Sequence, residues 1–253
     1  MCVIAFVCDL HPHWRLLLIG NRDEAHARPS APLARWTDAP GVVAGRDLEA
    51  GGTWMGVHGP ARAAVVTNVR DPAAAHDGAS RGWLVSDFLR GADSAARHAD
   101  ALAIDAVRYR PFNLLLFDRD GAGFVSNRPT VRAHAIEPGV HGLSNAPWPK
   151  VRRATTALRR WIAAGKEDFE PLFAAFADET PAPDAELPDT GVGIELERRL
   201  SPLFIRGERY GTRATTLIAI DRDGSGRIIE RRFGPEGVPQ GQTELWFGDG
   251  GDG

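Results

Sequence analysis

The 253-residue chain has almost no lysine: Lys150 and Lys166 stand against 28 arginines. Arginine forks suit fixed ion pairs and anion contacts, although a genomic base bias explains the excess equally well. There is no surplus of positive charge either. The net charge of −3 gives no bulk field for nucleic acid or anionic lipid, so no nucleic-acid partner is expected. No stretch approaches the ~20 apolar residues that span a bilayer. The opening residues Met1 to Asp9 lack a basic segment, and their apolar run stops at Asp9, so they read as neither a secretory nor a lipoprotein signal. With two cysteines and no export signal, the expected location is cytoplasmic and reducing.

Familiar catalytic signatures are missing too. The sequence holds no HExxH, no CxxC or CxxCH, no Walker lysine and no GxGxxG after a strand, so neither a metal site nor a required cofactor is expected. Asp118-Arg119-Asp120-Gly121 and Asp221-Arg222-Asp223-Gly224 resemble the start of a calcium loop, but their twelfth positions are Pro129 and Arg232, where a bidentate acid is required. Both read as hairpin turns after apolar runs.

What is present is ordinary globular composition, 43% apolar and 25% charged, enough for one domain over residues 1–248 with a disordered Gly/Asp tail at 249–253. Residues 2–8 are short, β-branched and apolar on both alternations, which predicts a strand. A strand that long holds Cys2 and Cys8 too far apart for a disulfide. A second strand over 15–20 completes a hairpin around His11-Pro12-His13, and residues 25–40, with three prolines, read as a surface loop. Further strand signals fall at 42–44, 53–57, 63–67, 112–117, 123–126 and 131–136, and again at 214–220, 227–233 and 243–247. Helical periods cover 83–89, 92–107, 148–164 (opened by Pro147 and Pro149) and 169–177. Strands clustered into hairpins favour an α+β fold of antiparallel sheets covered by helices.

Cys2 is the chemical candidate. Removal of Met1, expected when the second residue is small, leaves a first residue carrying both a thiol and an α-amine. That amine titrates near ~7.7–8.0, so it can accept the thiol proton. Taken alone, a second-position cysteine reads first as a buried strand end. Polar residues at strand ends change the balance. Asn21-Arg22-Asp23-Glu24 lies beside Cys2 in the hairpin, and Thr67-Asn68, Ser144-Asn145 and Arg213 end or begin other strands. Acyl transfer needs such parts: a carboxylate to orient the amine, amides for the oxyanion and a cation to lower the thiol pKa. The same residues equally suit turns and surface charge. Arg22 and Asp23 are adjacent, so both enter one pocket only if the strand has ended; Asp23 is the preferred one. Trp54, after Gly51-Gly52, either walls a pocket or, in preference, fills the core. Lys150 lies at a helix start whose N–H groups can receive an anionic ligand, though such starts are usually only capped.

Met1-Cys2, Asn21-Arg22-Asp23-Glu24, Arg28-Pro29, Gly45-Arg46-Asp47, Gly51-Gly52-Thr53-Trp54-Met55-Gly56, Thr67-Asn68, Ser80-Arg81-Gly82, Phe112-Asn113-Leu114-Leu115, Gly142-Leu143-Ser144-Asn145, Trp148-Pro149-Lys150 and Tyr210-Gly211-Thr212-Arg213 together resemble the NRDE, or transport and Golgi organisation 2, family over nearly the whole chain. The resemblance implies an N-terminal-nucleophile-hydrolase-like fold, a four-layer αββα sandwich of two antiparallel sheets between helix layers. It also invites a more distant comparison with cysteine amidases of the choloylglycine hydrolase and penicillin V acylase type. By that comparison Cys2 matches the nucleophile, Asp23 the acid near the α-amine, Asn68 and Asn145 the oxyanion-side asparagines, and Arg213 the arginine near the thiol. Arg22, Trp54 and Lys150 are the expected substrate contacts.

Two functions follow. One is a Cys2 hydrolase of a linear non-peptide amide or acyl compound. The other, implied by the resemblance alone, is a non-enzymatic carrier, with haem as cargo or a role in lipid or acyl-CoA handling. Its axial candidates, His58, His141 and the Cys2 thiolate, are not ranked by spacing. A small molecule or haem is thus the expected partner; nothing in the sequence speaks to oligomeric state.

Overall fold

The first strand of the computed structural model, β1 (Cys2–Cys8), is buried along its whole length. It forms a hairpin with β2 (Trp14–Ala25). Next come β3 (Ser30–Arg35), β4 (Val42–Asp47), β5 (Met55–His58) and β6 (Arg62–Asn68), then helices α1 (Arg81–Arg90) and α2 (Ala95–Asp105). β7 (Phe112–Phe117), β8 (Ala122–Ser126), β9 (Arg132–Ala135) and β10 (Gly139–Ser144) lead to α3 (Pro149–Ala163), α4 (Glu170–Phe176) and α5 (Ile194–Leu200). The chain closes with β11 (Tyr210–Asp221), β12 (Gly226–Phe233) and β13 (Pro239–Phe247). The structure describes residues 2–71, 78–146 and 148–248; Met1, Pro147 and the expected tail at 249–253 lie outside them.

The strands form two antiparallel sheets. One has six strands in the order β10-β1-β2-β11-β12-β13, the other seven from β3 to β9 in sequence order. The period of two along each strand separates three cores. Ile4, Phe6, Leu16, Leu18 and Ile218 meet Val57, Val65 and Phe117 between the sheets. Val3, Ala5, Leu17, Ile19 and Leu217 face the opposite way, onto Leu158, Trp161, Leu172 and Phe176 of α3 and α4. Ala64, Val66, Leu114 and Leu116 take Leu84, Val85, Phe88 and Leu102 of α1 and α2. Helix layer, sheet, sheet, helix layer: this is the αββα sandwich.

Both Asp-Arg-Asp-Gly segments are hairpin turns. Asp118 Oδ1 accepts the N–H groups of Asp120 and Gly121 at 2.8 and 3.0 Å between β7 and β8, and the N–H of Asp221 bonds Ser225 at 2.8 Å between β11 and β12. Cys2 and Cys8 are both free thiols. The strand windows are otherwise too few, and the windows at 15–20 and 214–220 stop well short of β2 and β11, while those at 53–57 and 131–136 overrun β5 and β9. β3 occupies part of the expected loop, and its Pro32 is tolerated because β3 is a sheet edge with no partner needing that N–H. β10, whose turn-like glycines hide a strand, pairs with the free side of β1. α5, too short for a periodic signal, was not anticipated by the hydrophobic pattern.

One hydrogen bond crosses the sandwich near its rim. The Glu230 carboxyl on β12, 5% exposed, accepts the Leu33 N–H of β3 at 2.8 Å. Burial pushes this carboxyl above its ordinary value, although the Leu33 N–H works the other way. The folded protein therefore holds a proton that the unfolded chain has already lost, and stability falls as pH rises above the ordinary glutamate range. Glu230→Gln keeps an acceptor for Leu33 and removes this titration. Urea unfolding between pH 5 and pH 8 is expected to show a shallower loss of stability for the variant; an unchanged slope contradicts the assignment.

Candidate active site

Cys2 ends β1 on the inter-sheet face, in line with Ile4 and Phe6. Its ladder partner is Arg22 of β2; Arg22 faces Ala214 of β11, and Ala214 faces Arg232 of β12. Residues paired across a sheet share a face, so these four form a row, and all four line one cleft of about 140 Å³. Arg213 joins them through a register shift between Thr212 and Ala214. At such a bulge two residues oppose one, which lets Arg213 enter the cleft beside Ala214. The Ala25 and Arg28 carbonyls and the Ser30 hydroxyl hold its guanidinium. The facing sheet contributes Trp54 and Asn68, and the start of α1 contributes Arg81.

The same shift places Thr212 opposite Asp23, away from the inter-sheet core. The Thr212 hydroxyl donates to Asp23 Oδ1 at 2.7 Å, and Lys150 Nζ lies 3.8 Å from Asp23 Oδ2, both side chains 0% exposed. Lys150 Nζ also donates to the Leu200 carbonyl at 2.9 Å, and the Tyr210 hydroxyl to the Asp23 carbonyl at 3.1 Å. β2 continues through residue 23, so Arg22 and Asp23 do take opposite faces. Arg22 enters the cleft beside the sulfur, while the Asp23 carboxyl turns to Lys150. Asp23 still acts on Cys2, because its charge is near enough to push the thiol up.

The expected residues thus divide. Cys2, Asn68, Arg213, Arg22 and Trp54 line the cleft, and Trp54 also packs on the inter-sheet core, so wall and filler are one role. Asn145 is buried just past the last β1–β10 ladder pair, Val3 with Ser144. The Ser144 hydroxyl lies 2.8 Å from the Cys2 carbonyl and 3.2 Å from Asn145 Oδ1. Lys150 is a correction: fully buried and engaged with Asp23 and Leu200, it has no surface to offer an anionic ligand. The thiol is another. Burial pushes Cys2 above its ordinary value, outweighing the opposing pull of the N-terminal ammonium and, more weakly, of Arg22. Arg81 and Arg232 were not anticipated as site residues; Arg232 follows Arg231 on a strand, and only the sheet's packing decides which of two neighbours faces inward.

The profile of the family described as "Transport and Golgi organisation 2" matches residues 1–235. The chain belongs to that family. The human transport and Golgi organization protein 2 homolog is 29% identical over 273 residues, spanning 97% of this chain and 98% of its own. The Drosophila melanogaster transport and Golgi organization protein 2 is 27% identical, spanning 91% of each. Among solved structures, a Caenorhabditis elegans N-acylethanolamine-hydrolyzing acid amidase ortholog aligns over 86% of this chain and 92% of its own, at 9% identity and a TM-score of 0.47. The membership accords with the motif pattern of the sequence, and the four-layer fold stands on this chain's own sheets and helices. Among the described residues no helix of this family member is long and apolar enough to cross a membrane.

Burial raises the Asp23 carboxyl and lowers the Lys150 ammonium, each opposed by the other's charge. Removing one partner leaves a buried charge uncompensated, which costs about 3–5 kcal/mol. Asp23→Asn and Lys150→Met are each expected to lose stability of that order in urea unfolding. The double variant is expected to lose clearly less than the two losses added; strict additivity contradicts a coupled pair.

Proposed function

We propose that the protein is an N-terminal-cysteine hydrolase of a linear amide or related acyl compound, with Cys2 as nucleophile. The observation that carries this is the position of Cys2: at one end of a polar cleft, opposite Arg22 on the neighbouring strand. A thiol held up by burial is neutral near pH 7, so it attacks only if a base takes its proton as it does so. The α-amine that trimming of Met1 exposes is that base. The sulfur bonds to the substrate carbonyl carbon while the amine takes the thiol proton. Asn68, with Asn145 behind the ladder end, stabilises the oxyanion. The ammonium then returns the proton to the leaving group as the carbonyl–nitrogen bond breaks. Water attacks the thioester, again giving its proton through the amine, and the thiol re-forms as the acid departs.

The Asp23–Lys150 pair lies on the far side of this strand and acts through Asp23 as a positioning element. A haem carrier finds less support in the same cleft. His141 bonds the Glu137 carbonyl at 2.8 Å and stacks on Phe6, His58 bonds the Leu89 carbonyl, and neither is among the described residues lining the cleft.

The test is intact mass followed by an acyl-amide screen. The purified protein is expected to lack Met1 and to acquire the acyl mass on Cys2, with turnover; Cys2→Ala is expected to show neither adduct nor turnover. Retention of Met1, or turnover by Cys2→Ala, overturns the mechanism.

A further inference from the structure

The cleft is far more basic than the protein around it. Seven arginines and four acidic residues line it, the Asp23 carboxyl turned away to Lys150, in a chain whose net charge is −3. Much of that charge has a fixed task. Arg28 pairs with Asp47 and Glu49, Arg46 with Asp38, and Asp23 with Lys150. What remains is Arg22, Arg81, Arg110, Arg213 and Arg232 against Glu24 and Glu230. None of these five arginines makes an ion pair among the described residues. Arg213 and Arg232 are held by carbonyls instead: Ala25 and Arg28 for the first, Gln240 at 2.8 Å for the second. Donating to carbonyls fixes a guanidinium without neutralising it, so its charge stays available to a ligand.

Placement turns the excess into a ruler. Cys2, Arg22, Ala214 and Arg232 occupy four adjacent strands, so Cys2 and Arg232 stand three strand spacings apart, about 14 Å. Ala214, the smallest side chain of the row, leaves a gap between Arg22 and Arg232 that Arg213 overlooks. We propose that the substrate of this cleft is an acyl compound carrying an oxyanion group, a carboxylate or phosphate, which binds over Ala214 between Arg213 and Arg232 while the reacting carbonyl lies at Cys2. The inference deepens the hydrolase reading and rests on it for the direction of the substrate, but the anion subsite exists whether or not turnover does. Neutral acyl amides and compounds whose charge lies next to the carbonyl are poor ligands on this geometry.

Alkylation of Cys2 tests it without requiring turnover. The reagents are iodoacetyl-glycine and iodoacetyl-ε-aminocaproate, each against its methyl ester, with the phosphonate of the longer reagent as a third arm. Cys2 labelling is followed by peptide mass. With the longer reagent the acid is expected to react about tenfold faster than the ester, as a charge-assisted contact warrants. The glycine reagent, too short to reach Arg232, is expected to show little preference. Arg232→Gln and Arg213→Gln are expected to remove most of the preference, and Arg152→Gln, on the far helix layer, to leave it unchanged. A faster phosphonate assigns the subsite to phosphate, a faster carboxylate to carboxylate. Equal rates for acid and ester at both lengths, or a preference that survives both cleft variants, overturn the proposal. If burial keeps Cys2 from reacting, the acetyl analogues of the same acid and ester are compared by calorimetry; tighter binding of the acid that Arg232→Gln abolishes supports the subsite, and equal or undetectable binding overturns it. A protein that hydrolyses no acyl amide yet keeps the preference retains this subsite and loses the hydrolase reading.

Discussion

A strand buried on both faces cannot slip. β1 has helices on one side and a second sheet on the other, and a shift of one residue would exchange Val3, Ala5 and Val7 for Cys2, Ile4, Phe6 and Cys8. Each set is matched to a different core, so the register is set by packing along the whole element. That register is what delivers the sulfur at position 2 to the gap between the sheets. It also decides, through the β1–β2 ladder, that Arg22 rather than Asp23 stands beside it.

The second constraint is the bulge at Arg213. Without it, β11 would keep strict alternation, and Thr212 would share the inter-sheet face with Ala214. One inserted residue turns Thr212 to the other face, where its hydroxyl meets Asp23, and frees Arg213 for the cleft. A single irregularity thus supplies both sides of the β2 end: a hydrogen-bond partner for the buried acid behind the strand and a cation in front of it.

The frame was legible because it follows from periodicity. Apolar alternation on both faces gave β1, the Asp-Arg-Asp-Gly turns gave two hairpins, and the clustering of strands pointed to antiparallel sheets, while the four-layer arrangement came through the family resemblance. What escaped was whatever depends on a neighbour. β3 looked like a loop because its proline is acceptable only at an edge, and edges are a property of the sheet. β10 fell outside every strand window, although Ser144-Asn145 suggested a strand end, because its glycines are there for close packing: a side-chain carbon on Gly142 would meet Thr155 and Val151 of α3 at 2.6 and 2.8 Å. In the site, residue types were readable and faces were not. Lys150 begins a helix, which suggested an anion site, but the helix turns that residue inward to a carboxylate.

Charge in the cleft and burial of the thiol pull against each other. Arg22 favours the thiolate, yet desolvation outweighs it and the sulfur keeps its proton. Arginines that were present only to favour the thiolate would belong at the Cys2 end, as Arg22 and Arg81 do. Arg232 does not serve that purpose: three strands away, its charge reaches the sulfur weakened by distance and by the water that fills an open cleft. A guanidinium in that place, held by a backbone carbonyl rather than a carboxylate, is better matched to something that enters from outside. A buried thiol that is neutral at rest, facing a row of uncancelled cations, favours a ligand that brings its own negative charge. On the proposed hydrolase reading, excluding water from the cleft strengthens every remaining electrostatic contact as the carbonyl reaches the sulfur.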